Sequence, residues 1–218
     1  MPEPDAGTLP LNKAALRAVK LPIRDLVIYQ DPHYQAVSSA SVLLVEYVLA
    51  RCNNEEREVL ELGSGCGIVS LMLALQRPNW QVTGWEIAPS QVQLARDNAL
   101  LCGVQTDFVE ADLRTAIHPR PAGLIVSNPP WMPQGSGLRS PFPGRAAGRE
   151  ELLCSMHDVM EAIKRNLHTA GEAVIIYPIQ READLKREVC NSSLDIIELN
   201  FSNEPSKYLL ATIRHKGS

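Results

Sequence analysis

The sequence predicts an α/β fold, a mostly parallel sheet of seven strands with helices on both faces and an antiparallel edge at the C-terminal end. Two observations lead there. From "EVLELG" onward, short apolar runs alternate with helical patterns of ten or more residues, the pattern of parallel strands joined by crossover helices. Later, "LDIIELNF" and "YLLATIRH" are separated only by "SNEPSK", a connection too short for a crossover and suited to an antiparallel pair.

Taken in order, residues 1–11 are rich in Pro, Gly and acids and read as a loose leader, and "NKAALRAVKLP" predicts a short helix stopped by Pro22. "LVIYQ" predicts a strand. "SSASVLLVEYVLARC" has helical apolar spacing behind serines, which predicts an N-capped helix over about 41–51. Then follow strand "EVLELG", helix "GIVSLMLALQR", strand "QVTGWEI", helix "SQVQLARDNALLCG", and strands "TDFVEAD" and "AGLIVSN". Helix "EELLCSMHDVMEAIKRNLH", strand "GEAVIIYPI" and helix "READLKREVCN" precede the closing pair.

Bulk properties narrow the function classes. A chain of 218 residues, 45% hydrophobic and 21% charged, suits one ordinary domain with an ample core. No apolar run reaches the roughly 18 residues of a membrane span, and the N-terminus lacks the pattern of a signal peptide, so a cytoplasmic protein without membrane contact is expected. Cys52, Cys66, Cys102, Cys154 and Cys190 are odd in number and form no CxxC pair, which predicts reduced, buried or half-buried thiols and no metal. The five histidines show no triad or ligand spacing. A net charge of -4 argues against gripping nucleic acid by the overall field but leaves room for a local basic patch.

In open sheets of this kind, ligands bind beyond the carboxyl ends of the strands, where the strand order reverses. "GSGCG", "EIAP", "ADLR" and "NPPW" each follow a predicted strand, so all four should lie along one crevice. Gly63, Gly65 and Gly67 permit positive φ and close approach of a ligand to the backbone; a tight strand-to-helix turn is the plainer reading. Their GxGxG spacing differs from the GxGxxG of a dinucleotide site, which disfavours an NAD-dependent oxidoreductase. Glu86 ends the next strand, where a carboxylate can accept from ribose hydroxyls, and Asp112 ends the third, as a ligand to an exocyclic amine or as a turn residue. In "VSNPPWMP" the prolines stop strand pairing and stiffen the backbone, leaving the Asn128 amide oxygen and the Pro129 carbonyl as two acceptors and Trp131 as an aromatic face.

The ordered set "ELGSGCG", "WEIAP", "EADL" and "SNPPW" resembles the S-adenosylmethionine-dependent methyltransferases of Rossmann-like, class I fold, in particular those that methylate planar nitrogens. The resemblance implies Glu61, Gly63, Ser64, Gly65, Gly67, Glu86, Ile87, Asp112, Leu113 and Asn128 around S-adenosyl-L-methionine, with S-adenosyl-L-homocysteine as product. It implies Asn128, Pro129, Pro130 and Trp131 at the reacting nitrogen, within a methyltransferase domain over 41–218. Residues 1–40 are then a leader and a segment covering cofactor or substrate.

The loop "MPQGSGLRSPFPGRAAGREELL", with "AVIIYPIQREADL" and "KYLLATIRHKG", is similar to the bacterial tRNA1(Val) adenine-37 N6-methyltransferases. Adenine N6 in tRNA is accordingly the expected acceptor. Protein glutamine, as in release-factor methyltransferases, and guanine N2 of rRNA are alternatives, as is a non-catalytic nucleotide-binding module. The release-factor enzymes usually carry a helical N-terminal domain, whereas some forty residues precede the first core helix here, which favours RNA. Ser41 stands where the tRNA group has an acid. Arg139, Arg145, Arg149, Lys13, Arg17, Lys20 and Arg24 are candidates for a phosphate-binding surface or ordinary solvated charges. A monomer or weak dimer is expected.

Overall fold

The computed structural model describes residues 15–53, 55–131, 154–202 and 208–217. Within these residues, seven strands form one sheet in the order β5-β4-β3-β6-β7-β9-β8. Their ranges are β3 Arg57–Leu62, β4 Trp80–Glu86, β5 Asp107–Glu110, β6 Ala122–Ser127, β7 Leu167–Pro178, β8 Leu194–Phe201 and β9 Tyr208–His215. β3 pairs in parallel with β4 and β6, β4 with β5, and β6 with β7, while β9 is antiparallel to both β7 and β8. The predicted mostly parallel sheet with an antiparallel edge is therefore observed, with β9 inserted between β7 and β8.

Strand alternation divides the interior into two cores. Val59, Val82, Leu124, Val126, Val174 and Ile176 face one side, against helices α1 Ser39–Arg51, α2 Ile68–Gln76 and α3 Pro89–Cys102. Leu60, Leu62, Ile125, Ala173, Ile175 and Tyr177 face the other, against α4 Met156–Asn166 and α5 Glu182–Asn191. Residues 68 to 75 of α2 are all buried, which is why that helix is apolar around its whole circumference. α3 begins with Pro89 and ends at Gly103, whose positive φ lets its N–H reach the carbonyls of Ala99 and Leu100. Ser155 and Asp158 cap α4 reciprocally. The upstream residues 150–153, assigned to this helix from sequence, lie outside the described residues.

The N-terminal segment is a hairpin instead of the expected short helix. Residues expected to be helical form strand β1 Arg17–Lys20, paired antiparallel with β2 Val27–Gln30. Burial of Leu21 and Ile28 in the first core rewards the hairpin, and that tertiary gain outweighs the local helix propensity of "ALRAVK". The turn holds Arg24 and Asp25 at positive φ. Helix α1 starts at Ser39, behind Ser38, whose side chain makes no capping bond, so Ser41 is inside the helix.

From β3 the chain builds outward through β4 to β5, then returns to the opposite side of β3 as β6 and continues outward to β7. The strand order reverses between β3 and β6. Leu62 and Ser127, the last residues of those two strands, lie side by side, and the Ser127 hydroxyl donates to the Leu62 carbonyl at 2.8 Å.

Candidate active site

A cavity of about 580 Å³ opens beyond the ends of β3, β4, β5 and β6. The four strand-end segments meet there, as expected. Glu61, Gly63, Ser64, Gly65, Glu86, Ile87, Asp112, Leu113, Asn128, Pro129 and Pro130 all line it, whereas Gly67 and Trp131 do not.

The glycine loop is built by hydrogen bonds to β4. Gly63 and Ser64 both donate backbone N–H groups to the Trp85 carbonyl at 2.9 Å. Gly63 and Gly65 hold positive φ, and a Cβ at either would meet no atom within 4 Å, so the backbone there is open to a ligand. Gly67 serves a different purpose. At φ +89 it precedes α2, and a Cβ would come within 2.7 Å of the Phe108 ring, so glycine is demanded by helix packing.

Glu86 braces the loop on the other side. One carboxylate oxygen accepts from Gly65 N–H at 3.0 Å and the other from Ala88 N–H at 2.9 Å, leaving lone pairs on both for a ligand. Glu61 lies on the face of β3 turned toward α2 and is 2% exposed. It accepts from the Ser70 N–H at 2.9 Å and from the Ser70 hydroxyl. Burial, with the charge of Glu86 adding, pushes its carboxyl up to about 8. The neighbouring Cys66 thiol is pushed up to about 12 by burial, which removes it as a nucleophile.

Asp112 sits two residues beyond the end of β5 and does form a turn. It accepts from the Arg114 N–H at 3.0 Å and pairs with the Arg114 guanidinium, which holds its carboxyl below the usual range. On the far side of the reversal point, the Asn128 amide nitrogen donates to the Ser41 hydroxyl at 3.1 Å, while its amide oxygen is buried without a partner. The Ser64 hydroxyl and the Gln91 amide nitrogen, in residues that line the same cavity, are also buried without partners.

Several contributors were not singled out from sequence. Residues 34–37, expected only as part of the 1–40 segment and not individually, form a wall of the cavity. The Tyr34 hydroxyl meets Ser90 Oγ at 3.0 Å, and the Gln30 side chain accepts from Val37 N–H at 3.0 Å. Asn98, fully buried in α3, bonds to both backbone groups of Tyr29 and to the Cys66 carbonyl, tying the hairpin to the glycine loop. An Asn at a helical position otherwise given to core residues was the available signal. Arg181 donates to the Trp131 carbonyl and is itself held by Asp184 at 3.0 Å. The Trp131 ring packs against Tyr208 at 5.2 Å between centroids.

Of the candidate basic surface, Lys13, Arg139, Arg145 and Arg149 lie outside the described residues. Lys20 pairs with Asp25, and Arg24 donates to the Leu75 carbonyl. Cys52 and Cys66 are buried and Cys102 and Cys154 half-buried, but Cys190 is exposed, contrary to expectation. Among the described residues no group of His, Cys, Asp and Glu is arranged to hold a metal, and no helix is long and apolar enough to cross a membrane.

Residues 33–139 match the family described as "Methyltransferase small domain". A release factor glutamine methyltransferase of Koribacter versatilis is 41% identical over 91 residues, covering 41% of this chain and 32% of the relative. A tRNA1(Val) (adenine(37)-N6)-methyltransferase of Aeromonas hydrophila is 32% identical over 125 residues, 56% of this chain and 52% of the relative. The chain thus spans about a third to a half of the length of the curated relatives it matches. Among solved structures, a T. thermophilus 16S rRNA N2 G1207 methyltransferase in complex with AdoMet and guanosine superposes with a TM-score of 0.66 at 17% identity, over 92% of this chain and 50% of that one. A ribosomal protein L11 methylase from Lactobacillus delbrueckii superposes with a TM-score of 0.63 at 15% identity, over 86% and 84%.

Proposed function

We propose, from the premise that residues 33–139 are a methyltransferase small domain, that the protein transfers a methyl group from S-adenosylmethionine to a planar exocyclic nitrogen, adenine N6 in a tRNA. One observation carries the reading. At the reversal point, Asn128 is anchored through its amide nitrogen to Ser41 while its amide oxygen is left uncommitted beside the glycine loop.

The residues present fit the donor. The cavity is within the roughly 300–1,000 Å³ usual for small-molecule sites, and it offers an acceptor-only carboxylate for a diol and a buried carboxyl for a cation. S-adenosylmethionine, when bound, supplies a methyl group already activated by a positive sulfur. Gly63 and Gly65 leave the backbone accessible on the ligand side, Glu86 takes ribose hydroxyls, and Ile87 and Leu113 offer apolar contact to a base.

An amine or amide nitrogen conjugated to a ring or carbonyl holds its lone pair in the plane's π system and attacks poorly. Two acceptors at fixed positions, the Asn128 amide oxygen and the Pro129 carbonyl, take both N–H groups and set the angle of approach. Pro129 and Pro130 stiffen that corner, Ser41 fixes the amide orientation, and Arg181 holds the Trp131 carbonyl, two residues beyond Pro129. For a base within folded tRNA, the nucleotide must first leave its stack.

The tRNA substrate is supported by the Aeromonas relative and by the likeness of "AVIIYPIQREADL" to that group. The identity with the Koribacter relative favours a second reading, a protein glutamine amide, which presents the same planar pair of N–H groups. Incubation with labelled S-adenosylmethionine and, separately, total tRNA, ribosomal RNA and release factor tests both. Label on a tRNA adenine is expected; label on release factor glutamine alone moves the substrate to the second reading, and no transfer to any of the three removes the first. An Asn128→Ala variant should lose at least about a hundredfold in turnover.

A further inference from the structure

We infer that Gln91 is a ligand-binding residue whose side-chain amide donates to a ribose hydroxyl oxygen of the bound nucleoside, completing the diol site that Glu86 begins. The inference rests on the methyl-donor reading above.

Gln91 lies in the first turn of α3, five residues after Glu86, and both line the cavity. It is 3% exposed, and its amide nitrogen is buried with no hydrogen-bond partner. Leaving such a donor unsatisfied costs about 1–3 kcal/mol, a cost that a leucine of similar size would avoid.

The rest of this helix face shows what a satisfied amide looks like. Ala95, one turn on, lies against Gly67, and Asn98, two turns on, is bonded to Tyr29 and to Cys66 of the glycine loop. Gln91 continues that face to its cavity end, where no protein acceptor meets its amide nitrogen.

The chemistry of a vicinal diol supplies the counterpart. Each hydroxyl has one hydrogen and two lone pairs. A carboxylate such as Glu86 can take the hydrogens but gives nothing to the lone pairs, so a diol buried against Glu86 alone stays half satisfied. An N–H donor is needed beside it. The Tyr34 hydroxyl is engaged with Ser90, and the buried Ser64 hydroxyl belongs to the glycine loop at the end of β3 rather than to the turn that follows Glu86.

Calorimetry with S-adenosylhomocysteine on the wild type, Gln91→Leu and Gln91→Ala, with competition by adenosine, 2′-deoxyadenosine and 3′-deoxyadenosine, tests this. Both variants should bind S-adenosylhomocysteine about tenfold more weakly, and their preference for adenosine over at least one deoxy analogue should fall by a similar factor. Their thermal midpoints should equal or exceed that of the wild type, which reports the fold. Unchanged affinity in both Gln91 variants overturns the inference, as does weakened binding with the diol preference intact, because that pattern reports packing alone. Failure of the wild type itself to bind S-adenosylhomocysteine overturns the methyl-donor reading, and this assignment with it.

Discussion

Replacing Glu61 with Gln should make the protein more stable in mild base and should take away most of the pH dependence between pH 5 and pH 9. Burial lifts the Glu61 carboxyl from an ordinary value of 4.5 to about 8. Between those values the folded chain keeps a proton that the unfolded chain has released, so each rise in pH through the window favours unfolding. With about 1.36 kcal/mol per pH unit, the loss from pH 5 to pH 9 is roughly 4 kcal/mol. Gln removes the titration and keeps an oxygen to accept both Ser70 bonds. Asp112, Glu172 and Asp184 have lowered values and act below this window, so they do not obscure it.

Thermal melts of both proteins at pH 5, 7 and 9 give the readout. For a chain of this size the midpoints should agree near pH 5 and separate by roughly 10 °C at pH 9, Glu61→Gln being higher. Parallel curves would refute the buried-carboxyl argument. The same group predicts a ligand effect of opposite sign. S-adenosylhomocysteine carries an ammonium group, and a cation beside Glu61 draws off its proton, so binding at pH 7 should release about one proton, seen by calorimetry in two buffers. Glu61→Gln should bind more weakly and release none.

Gly67→Ala forces a positive φ of 89° on a residue with a Cβ and drives that Cβ to 2.7 Å from Phe108, which should cost about 2–4 kcal/mol in urea unfolding; a midpoint within error of the wild type would contradict the packing role. Arg181→Met frees the Trp131 carbonyl and should lower kcat about tenfold or more with S-adenosylhomocysteine affinity unchanged; equal losses of both would instead indicate a collapse of the site.

The strand-end residues were legible because each carried a local reason: glycines for φ, acids after apolar runs, prolines that end pairing. Their convergence was legible too, since a parallel sheet with a reversal brings such ends together. The hairpin at 17–30 was not, because the pairing that makes "RAVK" a strand lies in β2 and in the core under Leu21 and Ile28. Gly67 looked like a ligand glycine, and only the approach of Phe108 from β5 shows that packing requires it. Residues 34–37 fall in the segment expected to cover cofactor or substrate, but no motif marked them individually. Their place on the cavity wall depends on Asn98 and Ser90 of α3, more than fifty residues away in sequence.

Asn, rather than Asp, at position 128 follows from its two neighbours. The amide nitrogen needs an acceptor and finds the Ser41 hydroxyl, while the amide oxygen must face the substrate; a carboxylate fills the second role but adds a charge to a site already holding Glu61 and Glu86. Ser41 is versatile, since its hydroxyl can rotate and donate to a carboxylate instead. Asn128→Asp should therefore keep the geometry and a measurable fraction of turnover, about ten times that of Asn128→Ala, with its loss concentrated in kcat. It should also raise the Glu61 value further, so that the loss of stability with rising pH continues to higher pH than in the wild type. Equal turnover in the Asp and Ala variants would mean that the oxygen at this position does not hold the reacting nitrogen.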